Sequence, residues 1–422
     1  PGQIFRITSP NGASPVVSDY VNLNSVFGEG TAGKNTHPNP LVNNALCSNF
    51  WNHDTISRPF ISKTSLGDLE MSDNDSILYV VNMHDKQLYA IPTTGPLNSG
   101  TIQRWPIPTS GSGDVGSISK PAIGPLSVDV RPMALGVNPY NGKLYVGATY
   151  SAQTSQLASE LRAYVWEFDG AGGFTMVLNE SLNYPRKNDP FHPWTDVDTF
   201  GNYRIGAPFN DGGGFHAEPL LSDIAFDGMN MILGIRDRYA DKTPGACKFA
   251  NDPPYPRSHG DILRACYSGG IYTLESGGSC GGVTTAGSVR SHGPSGPGGG
   301  EFYYGDDYSG DGDDYIGPNG ASSPDTVGES TQGALLVLPG QNHVISTAFD
   351  AVNETSAGAE RDDNYNTGGV VRYNNTTGFY TGAYDVYLSG DDATLDKANG
   401  LGDIEAGCGL PLIQIGNYVW ED

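Results

Sequence analysis

GQIFRITSPNG (2–12), KQLYAIPTTG (86–95), LRAYVWEFDGAG (161–172), GDILRACYSGG (260–270) and GGVVRYNNTTG (368–378) follow one plan. Each is a short apolar–polar alternation that stops at a Gly, Asn, Pro or Asp turn, the mark of a half-buried strand running into a tight reversal. A second series recurs out of phase with the first: LGDLEMS (66–72), PMALGVNP (132–139), LSDIAFDG (221–228), GALLVLPG (333–340) and LGDIEAG (401–407). Strand pairs repeated at irregular intervals along a Gly-rich chain predict an all-β fold, a β-propeller with long irregular loops. Five blades are visible, with room for six or seven if the widest intervals hide another, for example around 271–274 and 301–304.

Residues 4–8 read as a late strand of a blade and 401–407 as an early one, so the termini are expected to close one blade together and remove two sheet edges. The spacing predicts strands at 76–83 and 86–92; at 133–138, 143–149 and 161–168; at 222–227, 231–236 and 261–265; and at 333–338, 343–349 and 369–373. The propeller is expected over 1–411, interrupted by a long irregular Asn-, Pro- and Ser-rich insertion at 9–65. Residues 412–422 then form a C-terminal strand extension or the start of a following β-sandwich domain.

Acidic residues number 47 against 23 basic ones, a formal net charge of −24. Such a surface repels phosphate backbones, which argues against nucleic acid as a partner. No stretch is long and apolar enough to span a membrane as a helix. No basic segment followed by an apolar one opens the chain, so a secretory leader is expected to be absent or already removed. The 58 glycines and 29 prolines suit many short strands and turns.

Five cysteines are few for 422 residues, and none falls in a CxxC pair. Cys247 and Cys266 flank a Pro-rich loop and are expected to bond, with Cys280 as a competitor. Cys47 and Cys408 lie near opposite ends of the chain, which circular closure would bring together. Asn74, Asn179, Asn353, Asn374 and Asn375 open glycosylation triplets.

Oxygen-bearing side chains alternating with Gly can wrap a hard cation. Asp306, Asp307, Asp311, Asp313 and Asp314 form the first such calcium candidate, and Asp391, Asp392 and Asp396 the second. Asp68, Glu70, Asp223, Asp403 and Glu405 recur at equivalent repeat positions. They either converge on the propeller axis to hold a cation or polar ligand, or accept backbone N–H groups at turns with Arg131 or Arg236 nearby. Tyr303, Tyr304, Tyr308 and Tyr315 are candidates for stacking on sugars. No HExxH or GxSxG motif occurs, so metalloprotease and serine-hydrolase chemistry lack their best signatures.

Several further runs, DVRPMALGVNPYNGKLYVGATYSAQTSQ (129–156), LSDIAFDGMNMILGIRDRY (221–239), GGGEFYYGD (298–306), QGALLVLPG (332–340) and KANGLGDIEAGC (397–408), fall in a recurring order. Together they resemble the N-terminal propeller-like region of large bacterial surface proteins whose later parts carry serine-aspartate-repeat-type B domains. IGNYVWED (415–422) is similar to the opening strand of such a B domain. The resemblance covers 66–422 and implies a secreted or surface-attached, calcium-associated structural protein without an assigned catalytic activity. The expectation is therefore a non-enzymatic, extracellular, structural or adhesive module meeting cell-surface or matrix components. In one version it is the repeating subunit of a filament or sheath, self-associating through its C-terminal strand. A lectin-like carbohydrate- or protein-binding propeller is the alternative, and a polysaccharide lyase or glycosidase a further one.

Overall fold

A computed structural model describes residues 1–10, 14–34, 58–109, 127–186, 190–196, 217–242, 259–288, 295–304, 330–338, 340–349, 351, 367–388, 401–407, 412–415 and 419–420. The chain opens with a hairpin of β1 (Gln3–Thr8) and β2 (Val16–Asn22). The first four-stranded sheet is β3 (Leu66–Met71), β4 (Ile77–Asn82), β5 (Gln87–Pro92) and β6 (Gln103–Pro106). The second is β7 (Val130–Asn138), β8 (Lys143–Tyr150), β9 (Arg162–Phe168) and β10 (Phe174–Ser181). The third is β11 (Pro219–Asp227), β12 (Asn230–Asp237), β13 (Asp261–Ser268) and β14 (Ile271–Leu274). A small ribbon, β15 (Ser279–Cys280) with β16 (Val283–Thr284), precedes the fourth sheet of β17 (Thr331–Val337), β18 (His343–Phe349), β19 (Thr367–Asn374) and β20 (Tyr380–Leu388). The chain ends in β21 (Ile404–Gly407), β22 (Leu412–Ile415) and β23 (Val419–Trp420).

Each four-stranded sheet is an antiparallel meander in sequence order, the form of a propeller blade. Successive first strands β3, β7, β11, β17 and β21 lie against one another, so these are the inner strands around the axis. The inner strand β21 begins the fifth blade, and the chain ends form two sheets, β21–β22 and β2–β1–β23. β22 pairs with β21, and β23 pairs in parallel with β1, placing Arg6 beside Val419 and Ile7 beside Trp420. The β1–β2 hairpin then packs on the first blade, with Ile4, Val21 and Leu23 against Leu78, Val80, Tyr89 and Ile91. Of the expected closure by the termini, the pairing of the N-terminal strand with the C-terminal one is present through residues 419–420, whereas 404–407 pairs with β22 in a separate sheet.

The sheets adhere through aromatic side chains at their faces. Phe168 of the second blade meets Tyr79 and Trp105 of the first, and Tyr145 meets Phe226 and Tyr272 of the third. Nearer the axis the backbones themselves approach. A Cβ on Gly136 would fall 2.1 Å from the Ile224 carbonyl oxygen, which is why a residue without a side chain stands there.

Two expectations need correction. Val16–Asn22, inside the supposed irregular insertion, is the edge strand β2, because its alternation supplies a partner for β1. Residues 271–274 and 301–304 mark no sixth blade: Ile271–Leu274 is the outer strand of the third, and Tyr304 forms only an isolated bridge to Phe379.

Candidate functional site at the propeller axis

An inner strand has one edge without a strand partner, so alternate N–H groups on it face the axis and need acceptors. The first four inner strands all carry a register shift at the same point, between Leu66 and Leu69, Pro132 and Leu135, Leu221 and Asp223, and Thr331 and Leu335. Such a bulge re-aims the residues beside it. At this point the five inner strands carry, in ring order, Asp68, Ala134, Asp223, Ala334 and Asp403.

The three aspartates serve all five strands. Their Oδ1 atoms accept the next N–H of their own strands, from Leu69 at 2.8 Å, Ile224 at 2.6 Å and Ile404 at 2.7 Å. Asp68 Oδ2 reaches forward to the Leu135 N–H at 2.7 Å, and Asp223 Oδ2 to the Leu335 N–H at 2.6 Å. The alanine-bearing blades are thus capped by the blade before them. Glu70 repeats this one step along by accepting the Val137 N–H.

Alternation cannot close on an odd number of blades. Asp403 of the fifth blade meets Asp68 of the first, whose neighbouring N–H is already taken. Its carboxyl lies instead within hydrogen-bonding reach of both Asp68 and Asp223. Burial, followed by the proximity of Asp403, pushes Asp68 and Asp223 well above the usual carboxylate range. Burial and then Glu405 do the same to Glu70. Burial raises Asp403 to about 6, and burial together with Asp403 raises Glu405 to about 8. Asp68 and Asp223 are buried, whereas water reaches Glu405 although protein crowds it. Arg131 and Arg236 do not neutralise the cluster: Arg131 bonds Gln153 at 2.9 Å and Arg236 bonds Asp241 at 2.7 Å.

A second polar network joins segments distant in sequence. Arg238, fully buried, donates to Glu218 Oε2 at 2.6 Å and Asp196 Oδ1 at 3.1 Å, with its guanidinium 4.5 Å from the Trp194 ring centre. Lys63 Nζ donates to the same Asp196 at 2.5 Å. This network fastens 58–64 and 190–196 to the third blade. Glu218 is wholly buried.

The remaining predicted residues divide as follows. Asp306, Asp307, Asp311, Asp313, Asp314, Asp391, Asp392, Asp396, Asn353, Cys47, Cys247, Cys408, Tyr308 and Tyr315 lie outside the described residues. Among the described residues, no group of three or more His, Cys, Asp or Glu is arranged to hold a metal ion. Cys266 bonds to Cys280, not to Cys247, tying β13 to the ribbon beside it with a Cα separation of 5.7 Å. Asn179 is buried with Arg162 donating to it, and Asn375 is buried with Tyr303 donating to it at 2.8 Å, so neither suits glycosylation. Asn374 is half-buried and accepts the Thr376 N–H, while Asn74 is exposed in a turn where it accepts from Ser76. Tyr303 is core, not a sugar platform; its hydroxyl also accepts from Arg264 at 2.9 Å. Sequence reasoning missed Arg238, Asp196 and Lys63, whose meeting depends on loops with no local pattern.

No family model matches the chain. Among known proteins it is similar to colossins of Dictyostelium discoideum. It is 27% identical to colossin-A over 86% of this chain and 3% of that protein, and 35% identical to colossin-B over 59% and 6%. Against colossin-D it is 26% identical over 96% of this chain and 37% of the relative. The chain therefore spans well under half the length of each. These relatives come from an amoeba, not from a bacterium as the resemblance had implied. Of solved structures, one protein from Lactobacillus plantarum aligns at 10% identity and TM-score 0.33 over 80% of this chain and 57% of its own. The Dos1 propeller aligns at 10% and 0.29 over 76% and 48%. At such scores the propeller assignment rests on the sheets themselves, and what the comparisons add is a chain similar to limited stretches of larger proteins.

Proposed function

We propose that this chain is a non-enzymatic propeller module of a larger extracellular or cell-surface protein, with a structural or adhesive role. The observation that carries the reading is the alignment of nearly the whole chain with small fractions of longer proteins, 86% against 3% for colossin-A and 96% against 37% for colossin-D. The Cys266–Cys280 bond favours an oxidising compartment. Asp68 and Asp223 favour a scaffold over a catalytic centre, because both oxygens of each are committed to backbone N–H groups.

Antibody raised against the chain, applied to intact source cells before and after protease shaving, tests the location. The expected result is labelling that shaving removes; labelling only after permeabilisation overturns it. A polysaccharide turnover screen tests the other half. Turnover that disappears on Asp403→Asn or Glu405→Gln substitution would replace the scaffold reading with an enzyme.

A further inference from the structure

The three axial aspartates offer six carboxyl oxygens to five inner-strand N–H groups, and the structure shows where the surplus falls. Both oxygens of Asp68 and both of Asp223 accept backbone N–H groups. Asp403 uses Oδ1 for the Ile404 N–H, and its carboxyl faces two other carboxyls where the pattern of alternation breaks. A carboxylate facing carboxylates has nothing to donate. A carboxylic acid has one proton to donate, and both neighbours can accept it.

We propose that Asp403 closes the propeller as a neutral carboxylic acid, donating its proton to Asp68 or Asp223, and that loss of this proton loosens the fifth blade. The site is a protonation latch between the last inner strand and the first and third. The groups facing Asp403 are Asp68 on β3 and Asp223 on β11, with Glu405 beside it on β21 and Glu70 close to Glu405. β7 and β17 present backbone N–H groups there, not charges. No basic side chain among the described residues acts on Asp403 or Glu405. Deprotonation breaks the Asp403 O–H bond and delivers the proton to water, which has access at Glu405. It leaves like charges in contact where a hydrogen bond stood. Burial raises all three carboxyls, and in Asp403 it outweighs the hydrogen bonds to Asp223 and Asp68, which act in the opposite direction.

The test contrasts two isosteric substitutions in the 422-residue chain. Asp403→Asn imitates the protonated acid: its oxygen still accepts the Ile404 N–H and its amide donates to Asp68 and Asp223. Asp68→Asn must instead turn an NH₂ group toward a backbone N–H. Thermal melts from about pH 5 to about pH 8.5, spanning the range in which a raised carboxyl titrates, should show a falling midpoint for the unmodified chain. The Asp403→Asn profile should be flatter and, at the alkaline end, at least about 2 °C higher than the unmodified chain. Asp68→Asn should be lower throughout. Hydrogen-exchange protection of the Ile404–Gly407 amides, corrected for intrinsic pH dependence, should fall with pH only when Asp403 is present.

An Asp403→Asn profile parallel to that of the unmodified chain, or a loss as large as Asp68→Asn at every pH, overturns the latch. Should Asp403→Asn not fold, carboxyl ¹³C titration of the unmodified chain decides. An Asp403 signal that titrates only near pH 6 or above supports the proposal, and one that titrates below that, down to about pH 4 as a free Asp would, contradicts it.

Discussion

Asp68 Oδ2 accepts the Leu135 N–H at 2.7 Å, so a side chain of the first blade caps the inner strand of the second across 67 residues of sequence. Asp223 does the same for Leu335 of the fourth blade at 2.6 Å. Neighbouring inner strands are thus joined by hydrogen bonds as well as by aromatic packing. Removing either carboxylate leaves two amides without acceptors, both of them buried in the case of Asp223.

Asp223→Ala is the first consequence. It strips the Ile224 and Leu335 N–H groups of their acceptor, at roughly 1–3 kcal/mol for each group. Urea denaturation should show the midpoint falling with little change in slope. A midpoint unchanged from the parent would mean that water replaces the carboxylate freely.

Stability should depend on pH in an unusual direction. Asp403, Asp237 and Asp261 are raised to about 6 and Glu405 to about 8, chiefly by burial. Each folded-state value exceeds that of a free carboxyl near 4. The folded chain therefore holds protons that the unfolded chain has released, and stability falls as pH rises from about 4 to about 8. Lys63 and Lys86, lowered to about 8 mainly by burial, act in the opposite sense above that pH, because the folded chain there binds fewer protons than the unfolded one. Urea midpoints at intervals of pH should trace a decline followed by a partial recovery.

Arg238→Ala removes the guanidinium that neutralises Glu218 and holds Asp196. Breaking a buried charge pair from one side costs roughly 3–5 kcal/mol. The expected readout is a large drop in unfolding midpoint, with new protease sensitivity near 58–64 and 190–196. Arg238→Lys should recover only part of it, since a single ammonium cannot span Glu218, Asp196 and the Ile61 carbonyl together.

The Cys266–Cys280 bond closes a short loop, a separation of 14 residues. By the chain-entropy relation such a loop is worth roughly 3 kcal/mol. Cys280→Ser should lower the melting midpoint, and reductant should lower the parent toward the variant while leaving the variant unmoved. Peptide mapping that found Cys266 bonded to Cys247 instead would contradict the pairing.

Much of the fold was legible because inner strands advertise themselves: the series from LGDLEMS to LGDIEAG marked five blades, and the turns after Phe168 and Asn138 fixed hairpins. β2 was not legible, because VVSDYVN sits in an Asn- and Pro-rich stretch and gains its strand identity only from β1. The cysteine partner could not be chosen from spacing, since Cys247 and Cys280 both lie within reach of Cys266 along the chain. The axial aspartates were visible as a repeat, but their chemistry was not. The order Asp, Ala, Asp, Ala, Asp acquires meaning only once the five strands stand in a ring and the last meets the first. The Arg238 network left no trace, because Lys63, Asp196 and Arg238 are brought together by loops without periodicity.

Ring closure by the two ends of the chain is tested most directly by crosslinking positions 6 and 419, the paired register of β1 and β23. The Arg6→Cys/Val419→Cys double variant, oxidised at low protein concentration and mapped by peptide mass, should yield one crosslinked peptide pair within a single molecule. Crosslinks found only between molecules would mean that the C-terminal strand joins neighbouring copies. No crosslink at all would mean that the ends do not share a blade. Either of these results contradicts closure of the propeller by the two chain ends.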